Sequence, residues 1–118
     1  MQQKVKNISY LCKVEFGLDE EGKQLVALPQ GAEVLRVNLE IAKPQAGASL
    51  DIGFKDEEDY FMNDIPGDTA GFHNSEKLYC AKVSTTINAT IVGFDKDSES
   101  RAILRVHYFV PSEVVLEV

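Results

Sequence analysis

Acidic side chains crowd the middle of the chain, where Asp51, Asp56, Glu57, Glu58, Asp59, Asp64 and Asp68 lie close together in sequence. Hard oxygen donors at such density suit calcium, which takes about six to eight oxygens. The spacing is not that of an EF-hand, because no D-x-D-x-D-G run is followed by a terminal Glu at the right distance. A second set, Asp95, Asp97 and Glu99, alternates across a polar turn, with few donors for a calcium shell. Both sets read as solvated turns, where Asp is favoured by its local hydrogen bonds. Paired carboxylates also serve glycoside hydrolysis, which needs one carboxyl held protonated by an apolar pocket and one ionised. Asp56 and Asp59 sit in a polar stretch that offers no such asymmetry. His73 and Cys80 are near in sequence, the bare minimum for a thiol–imidazole pair. No Gly-x-Ser-x-Gly elbow, Gly-rich phosphate loop or Gly-Lys-Ser/Thr accompanies them. The chain is therefore expected to be no enzyme and to need no cofactor or metal.

The local feature that does suggest function is Tyr60-Phe61-Met62 inside the acidic stretch. Bulky apolar residues amid charge commonly fold back over the edge of a core. They can instead anchor a partner, with the acids as the rim. Asp56, Asp59, Tyr60, Phe61 and Met62 are the candidate partner-contact residues.

These residues must be held by elements of period two, which recur along the chain. Ser9–Phe16 sets Tyr10, Cys12, Val14 and Phe16 on one face and Leu11, Lys13 and Glu15 on the other. Asp19–Gly22 then predicts a hairpin turn with Gly22 at positive φ. Gln24–Leu28 is a return strand closed by Pro29, which cannot donate to a ladder. Val34–Ile41 is expected to turn Leu35, Val37, Leu39 and Ile41 inward and Arg36, Asn38 and Glu40 outward. After a turn at Lys43–Gly47, Leu50, Ile52 and Phe54 form the next inward face, with Gly53 marking a bulge or a close backbone approach. Residues 55–77 lack periodicity and read as a long loop of the interaction type, with one helical turn over Asp56–Phe61 capped by Asp56. Strands are predicted at Leu78–Val83, Thr85–Phe94 and Arg101–Val110, and Val114–Val118 reads as a short terminal strand or a tail. Both faces of Arg101–Val110 are apolar, so it is central in a sheet or covered by a partner. Seven to eight short strands predict an all-β fold, an antiparallel β-sandwich with jelly-roll or Greek-key connections; a closed barrel is the second choice.

Length and composition agree. The 118 residues imply one domain spanning 1–118, large enough to bury roughly two-thirds of its unfolded surface. A hydrophobic fraction of 44% with 26% charged residues is that of an ordinary globular chain. The net charge of −7 disfavours nucleic acid and anionic membranes as partners. The opening MQQKVKNISYLCKVEFG has no unbroken apolar stretch, so neither a signal peptide nor a membrane span is expected. Cys12 and Cys80 are widely separated and are expected to be free thiols. The Asn7-Ile8-Ser9 and Asn88-Ala89-Thr90 sequons are taken as chance matches in a chain without a secretory leader.

The segments LPQGAEVLRVNLEI and AGASLDIGFKDEEDYFMNDI resemble a pattern in small β-rich virion structural proteins of tailed bacteriophages and prophages. In that pattern a Leu-Pro-x-Gly/Asn-Ala turn leads into an alternating strand, then a Gly-containing turn, a Leu-x-Ile/Val-Gly strand and an Asp-rich stretch ending Tyr/Phe-Leu. Leu28-Pro29, Gly31-Ala32, Ala46-Gly47, Leu50, Ile52-Gly53, Asp59-Tyr60-Phe61 and Asp64 occupy the matching places, and ILRVHYFV resembles the closing strand. The likeness covers about half the chain. Charged Lys55–Asp59 and bulky Tyr60-Phe61-Met62 depart from the pattern. The resemblance implies a non-enzymatic part of the virion, of the capsid-decoration, head-fibre or tail-associated type. It implies assembly with other copies and other virion proteins, in the host cytoplasm and then the particle. The alternative is a carbohydrate- or calcium-binding β-sandwich module, which the lack of Trp disfavours.

Overall fold

The computed structural model describes residues 1–117, which fold into strands and turns without a helix. In chain order the strands are β1 (Gln2–Lys6), β2 (Ser9–Phe16), β3 (Gly22–Leu28), β4 (Glu33–Lys43), β5 (Ser49–Gly53) and β6 (Met62–Pro66). They continue as β7 (Gly71–Ser75), β8 (Tyr79–Cys80), β9 (Thr85–Val92), β10 (Arg101–Phe109) and β11 (Glu113–Glu117). One sheet has the order β2-β10-β4-β7, with β8 also paired to β4; the facing sheet has the order β3-β9-β5-β6. A separate ribbon pairs β1 with β11. Every pairing is antiparallel.

Successive strands mostly change sheets: β2 is followed by β3 opposite, β4 returns, and β5 crosses again. The late strands β9 and β10 then insert beside the early ones, so that β10 separates β2 from β4 and β9 separates β3 from β5. The result is Greek-key connectivity in two packed layers.

The core lies between the layers. Its fully enclosed side chains include Val37, Leu39 and Ile41 of β4, Leu104 and Val106 of β10, Leu50 and Ile52 of β5, and Ile87 and Ile91 of β9. No polar or charged residue among those described is buried. As expected from its two apolar faces, β10 is central, flanked by β2 and β4. Ile103 on its far face is only 3% exposed, in register with Glu15 and Glu40.

Several expectations are corrected. Leu35 does not point inward: it is 38% exposed, and Val34 is buried in its place. The cause is a bulge. His107 lies opposite Arg36 but Tyr108 lies opposite Val34, leaving Leu35 as the extra residue and reversing the alternation. Residues 55–77 are not one long loop, since they contain β6 and β7, and Asp56–Phe61 forms turns instead of a helical turn. Gly22 begins β3 opposite Thr90 and is not among the residues at positive φ. The strand expected over Leu78–Val83 shrinks to the two residues of β8. The terminal strand is present as β11, and Val118 lies outside the described residues. The sandwich thus uses eight main strands plus the short β8, with the β1–β11 ribbon added to it.

That ribbon gives the molecule its shape. Val110 N–H donates to the Ile8 carbonyl at 3.1 Å, so the β2–β10 pair runs on towards β1 and β11. The extents are 55 × 25 × 18 Å and the radius of gyration is 15.8 Å, against about 13.5 Å for a compact chain of this length.

Candidate interaction surfaces

The acidic, aromatic segment begins where β5 ends. Gly53 has no side chain because the loop folds directly over it: a Cβ there would strike the carbonyl oxygens of Glu57 and Glu58. Phe54 N–H donates to the Glu57 carbonyl at 2.9 Å, Glu57 N–H donates back to the Phe54 carbonyl at 3.2 Å, and Phe61 N–H reaches the Ile52 carbonyl at 2.9 Å. The tight turn lifts Asp56, Glu57, Glu58 and Asp59 into solvent and returns Tyr60, Phe61 and Met62 to the sandwich.

The aromatic residues then form a closed cluster. Phe54 lies 5.4 Å from Tyr60, 5.4 Å from Phe61 and 4.3 Å from Tyr79, between ring centroids. Tyr60 meets Phe61 and Tyr79 edge to face at 4.9 and 5.4 Å, a geometry that the ring quadrupoles favour. The Tyr60 hydroxyl donates to the Leu78 carbonyl at 2.6 Å, and the Lys77 ammonium lies 4.0 Å above its ring. Phe61 and Met62 are buried, Tyr60 is half-buried, and Asp56 and Asp59 are exposed. Phe61 and Met62 therefore spend their apolar surface on the core of their own protomer. What this end of the molecule offers outward is the acidic turn, part of Tyr60, and the neighbouring Leu78 and Val83, which are 64% and 67% exposed. Phe54, Asp56, Glu57, Tyr79, Val83 and Thr85 line a cleft between the two loops.

The other acidic residues act as turn formers. Asp51 carboxylate accepts the Asp64 N–H at 2.6 Å, and Asp64 adopts φ 55°, a left-handed conformation that Asp tolerates. Asp95 carboxylate accepts the Asp97 N–H at 2.9 Å, and Lys43 pairs with Glu99 at 3.2 Å. Among the described residues no group of three or more His, Cys, Asp or Glu is placed to hold a metal ion. His73 and Cys80 are not brought together: they pair with Leu39 and Glu33 of β4, six residues or roughly 20 Å apart along a strand. Cys12 and Cys80 are both free thiols.

Two groups titrate away from their ordinary values. Asp19 is held below the usual carboxylate range, chiefly by its hydrogen bond with Lys23, 2.6 Å away, against a smaller opposing effect of burial. Burial raises the Tyr108 hydroxyl, aided by the nearby Cys12 and Tyr10.

A second surface lay outside the candidate set: the β1–β11 ribbon, with Val114, Val115 and Leu116 each about half exposed. The apolar run between two acids in EVVLE is its signal in the sequence, but nothing there states that the two ends of the chain pair with each other.

No family model and no curated protein matches the chain. Solved structures do. A chain of the acid-stable capsid of Helicobacter pylori bacteriophage KHP30 is 36% identical, with a TM-score of 0.84 and 100% of both chains covered. A chain of the cyanophage Pam1 capsid asymmetric unit shares the fold at 16% identity and a TM-score of 0.59, with 93% of this chain and 85% of that one covered. Full-length identity at the first of these levels, on the same two-layer architecture, places this chain in the family of that KHP30 capsid protein: it is a structural component of a bacteriophage virion.

Proposed function

We propose that this chain is a non-enzymatic building or decoration subunit of a phage or prophage capsid, wrapped as a jelly roll, that works by repeated identical docking. The observation that carries the reading is the end-to-end likeness to a chain of a phage capsid. The strand order supports the jelly roll, because two four-stranded layers with late strands inserted beside early ones are its hallmark. Many weak contacts on a symmetric shell sum to strong attachment. The partners are other copies and other virion proteins, met in the host cytoplasm and then in the particle; an excess of acids argues against nucleic acid and anionic membrane.

The exposed rim at Asp56, Asp59 and Tyr60 is proposed as a docking contact, braced from beneath by Phe61 and Met62. The buried state of Phe54 and Phe61 leaves no flat aromatic platform for a sugar there, so nothing favours the carbohydrate-binding alternative. The KHP30 relative comes from an acid-stable capsid. The lack of buried charge among the described residues supports a subunit that also keeps its fold in acid.

The test is to purify particles from an induced lysate and quantify this chain by mass spectrometry, alone and against Asp56→Lys with Asp59→Lys. A fixed, high copy number per particle is expected. The double variant should fold normally and be incorporated at least several-fold less. Absence of the wild-type chain from particles would end the capsid role, and normal incorporation of the variant would remove the rim from the interface.

A further inference from the structure

The two ends of the chain form a ribbon that the protomer leaves uncovered. Gln3 lies opposite Leu116 and Val5 opposite Val114; residues directly opposed in an antiparallel pair share a face. One face of the ribbon therefore carries Gln3, Val5, Val114 and Leu116, and the other carries Gln2 and Lys4 opposite Glu117 and Val115, with Lys6 beyond them. This is the pattern of a strand pair with one face meant for burial. Yet Val114 and Leu116 remain 47% and 46% exposed, and the core cluster includes none of the ribbon residues whose side chains are described. A lone two-stranded ribbon is marginal in water and becomes stable when its apolar face packs on something.

Charge indicates what that is. Lys4 and Lys6 balance Glu113 and Glu117, so the ribbon's side chains are neutral and the chain's net −7 resides in the remainder. Two copies meeting sandwich to sandwich would press acidic surfaces together, whereas two copies meeting ribbon to ribbon present neutral, apolar faces. A basic partner, by contrast, would be drawn to the acidic sandwich and gain nothing from the ribbon. We infer that the β1–β11 ribbon is the surface through which copies of this chain associate, its apolar face packed on the same face of a second copy. Val5, Val114 and Leu116 form the dry centre with Gln3 beside Leu116, and Lys4 and Glu117 on the opposite face stay in water. This deepens the assembly role proposed above and rests on it, in that a subunit working by repeated contacts must have a self-complementary face.

The experiment is light scattering coupled to size exclusion on the full chain, on Val114→Asp with Leu116→Asp, and on Phe72→Asp, whose ring is 65% exposed on β7 of the sandwich. The wild type is expected at a multiple of 13.1 kDa. The ribbon double variant should run as monomer with an unchanged melting curve, and Phe72→Asp should keep the wild-type mass. Should the double variant melt early, Lys4→Glu gives the same information: it makes the ribbon acidic and should weaken association several-fold at low salt, with recovery near ~1 M salt. A monomeric wild type, ribbon variants of unchanged mass, or dissociation by Phe72→Asp alone would each overturn the inference. Particle content separates the two claims: a chain abundant in particles whose ribbon variants keep their mass defeats only the ribbon interface, and a chain absent from particles defeats the capsid role.

Discussion

At the scale of residues, the aromatic cluster joins fold and surface. Phe61 is 7% exposed and touches Phe54 and Tyr60, so removing it leaves a void that the loop cannot refill. Phe→Ala in such a site costs about 3–5 kcal/mol. Tyr60→Ala with Phe61→Ala should therefore lower the melting temperature by roughly 10–20 °C, as read by calorimetry. A change under a few degrees would mean that the cluster is a surface ornament free to serve a partner directly. The residue types in this stretch announced that something happens there. They did not distinguish a rim from a brace, because that distinction depends on Gly53 letting the turn of Glu57 and Glu58 lie over the strand. Once the turn is that tight, Phe61 N–H meets the Ile52 carbonyl and its ring has only the core to enter.

At the scale of elements, legibility followed burial. β2, β5 and β10 were visible because alternation along them reports one buried face or two. β6 and β7 were not, because edge strands such as Met62–Pro66 and Gly71–Ser75 bury little, and their residues look like those of a loop. Leu35 failed for another reason: one extra residue in a bulge turns every side chain beyond it to the opposite face, and bulges leave no periodic mark. The ribbon is an element by pairing but not by packing. Truncation to residues 7–112 should therefore change the unfolding free energy by no more than about 1 kcal/mol, measured by urea titration on monomeric protein. A larger loss would show that β1 and β11 hold the ends of β2 and β10 in place.

At the scale of the whole molecule, no charged residue among those described lies within the core. Acid unfolding is driven largely by carboxylates that the folded state holds ionised and by buried groups forced to charge. With no buried charged residue among those described, the fold should lose little on acidification. Asp19 is the exception: its folded value is depressed, so the stability it adds is complete above the unfolded value near 3.8 and is lost as pH falls through the lower folded value. The pair is partly exposed, which keeps that contribution under ~1 kcal/mol. Lys23→Met should accordingly be less stable than wild type at pH 7 by that small amount, and the gap should close by about pH 2. Denaturant titrations at both pH values check it, and a gap that widens in acid would contradict the assignment.

The sequence by itself determined an all-β, acidic chain with a central two-faced strand and a turn rich in acids and aromatics, because period, charge and turn chemistry are local properties written in residue order. Only the tertiary structure decided which strands are neighbours, that Phe61 and Met62 face inward, and that the two ends of the chain come together as an amphipathic ribbon. Those facts depend on pairings between residues as distant as Val5 and Val114. No local rule encodes such pairings, since it is the common burial of the whole core that selects them.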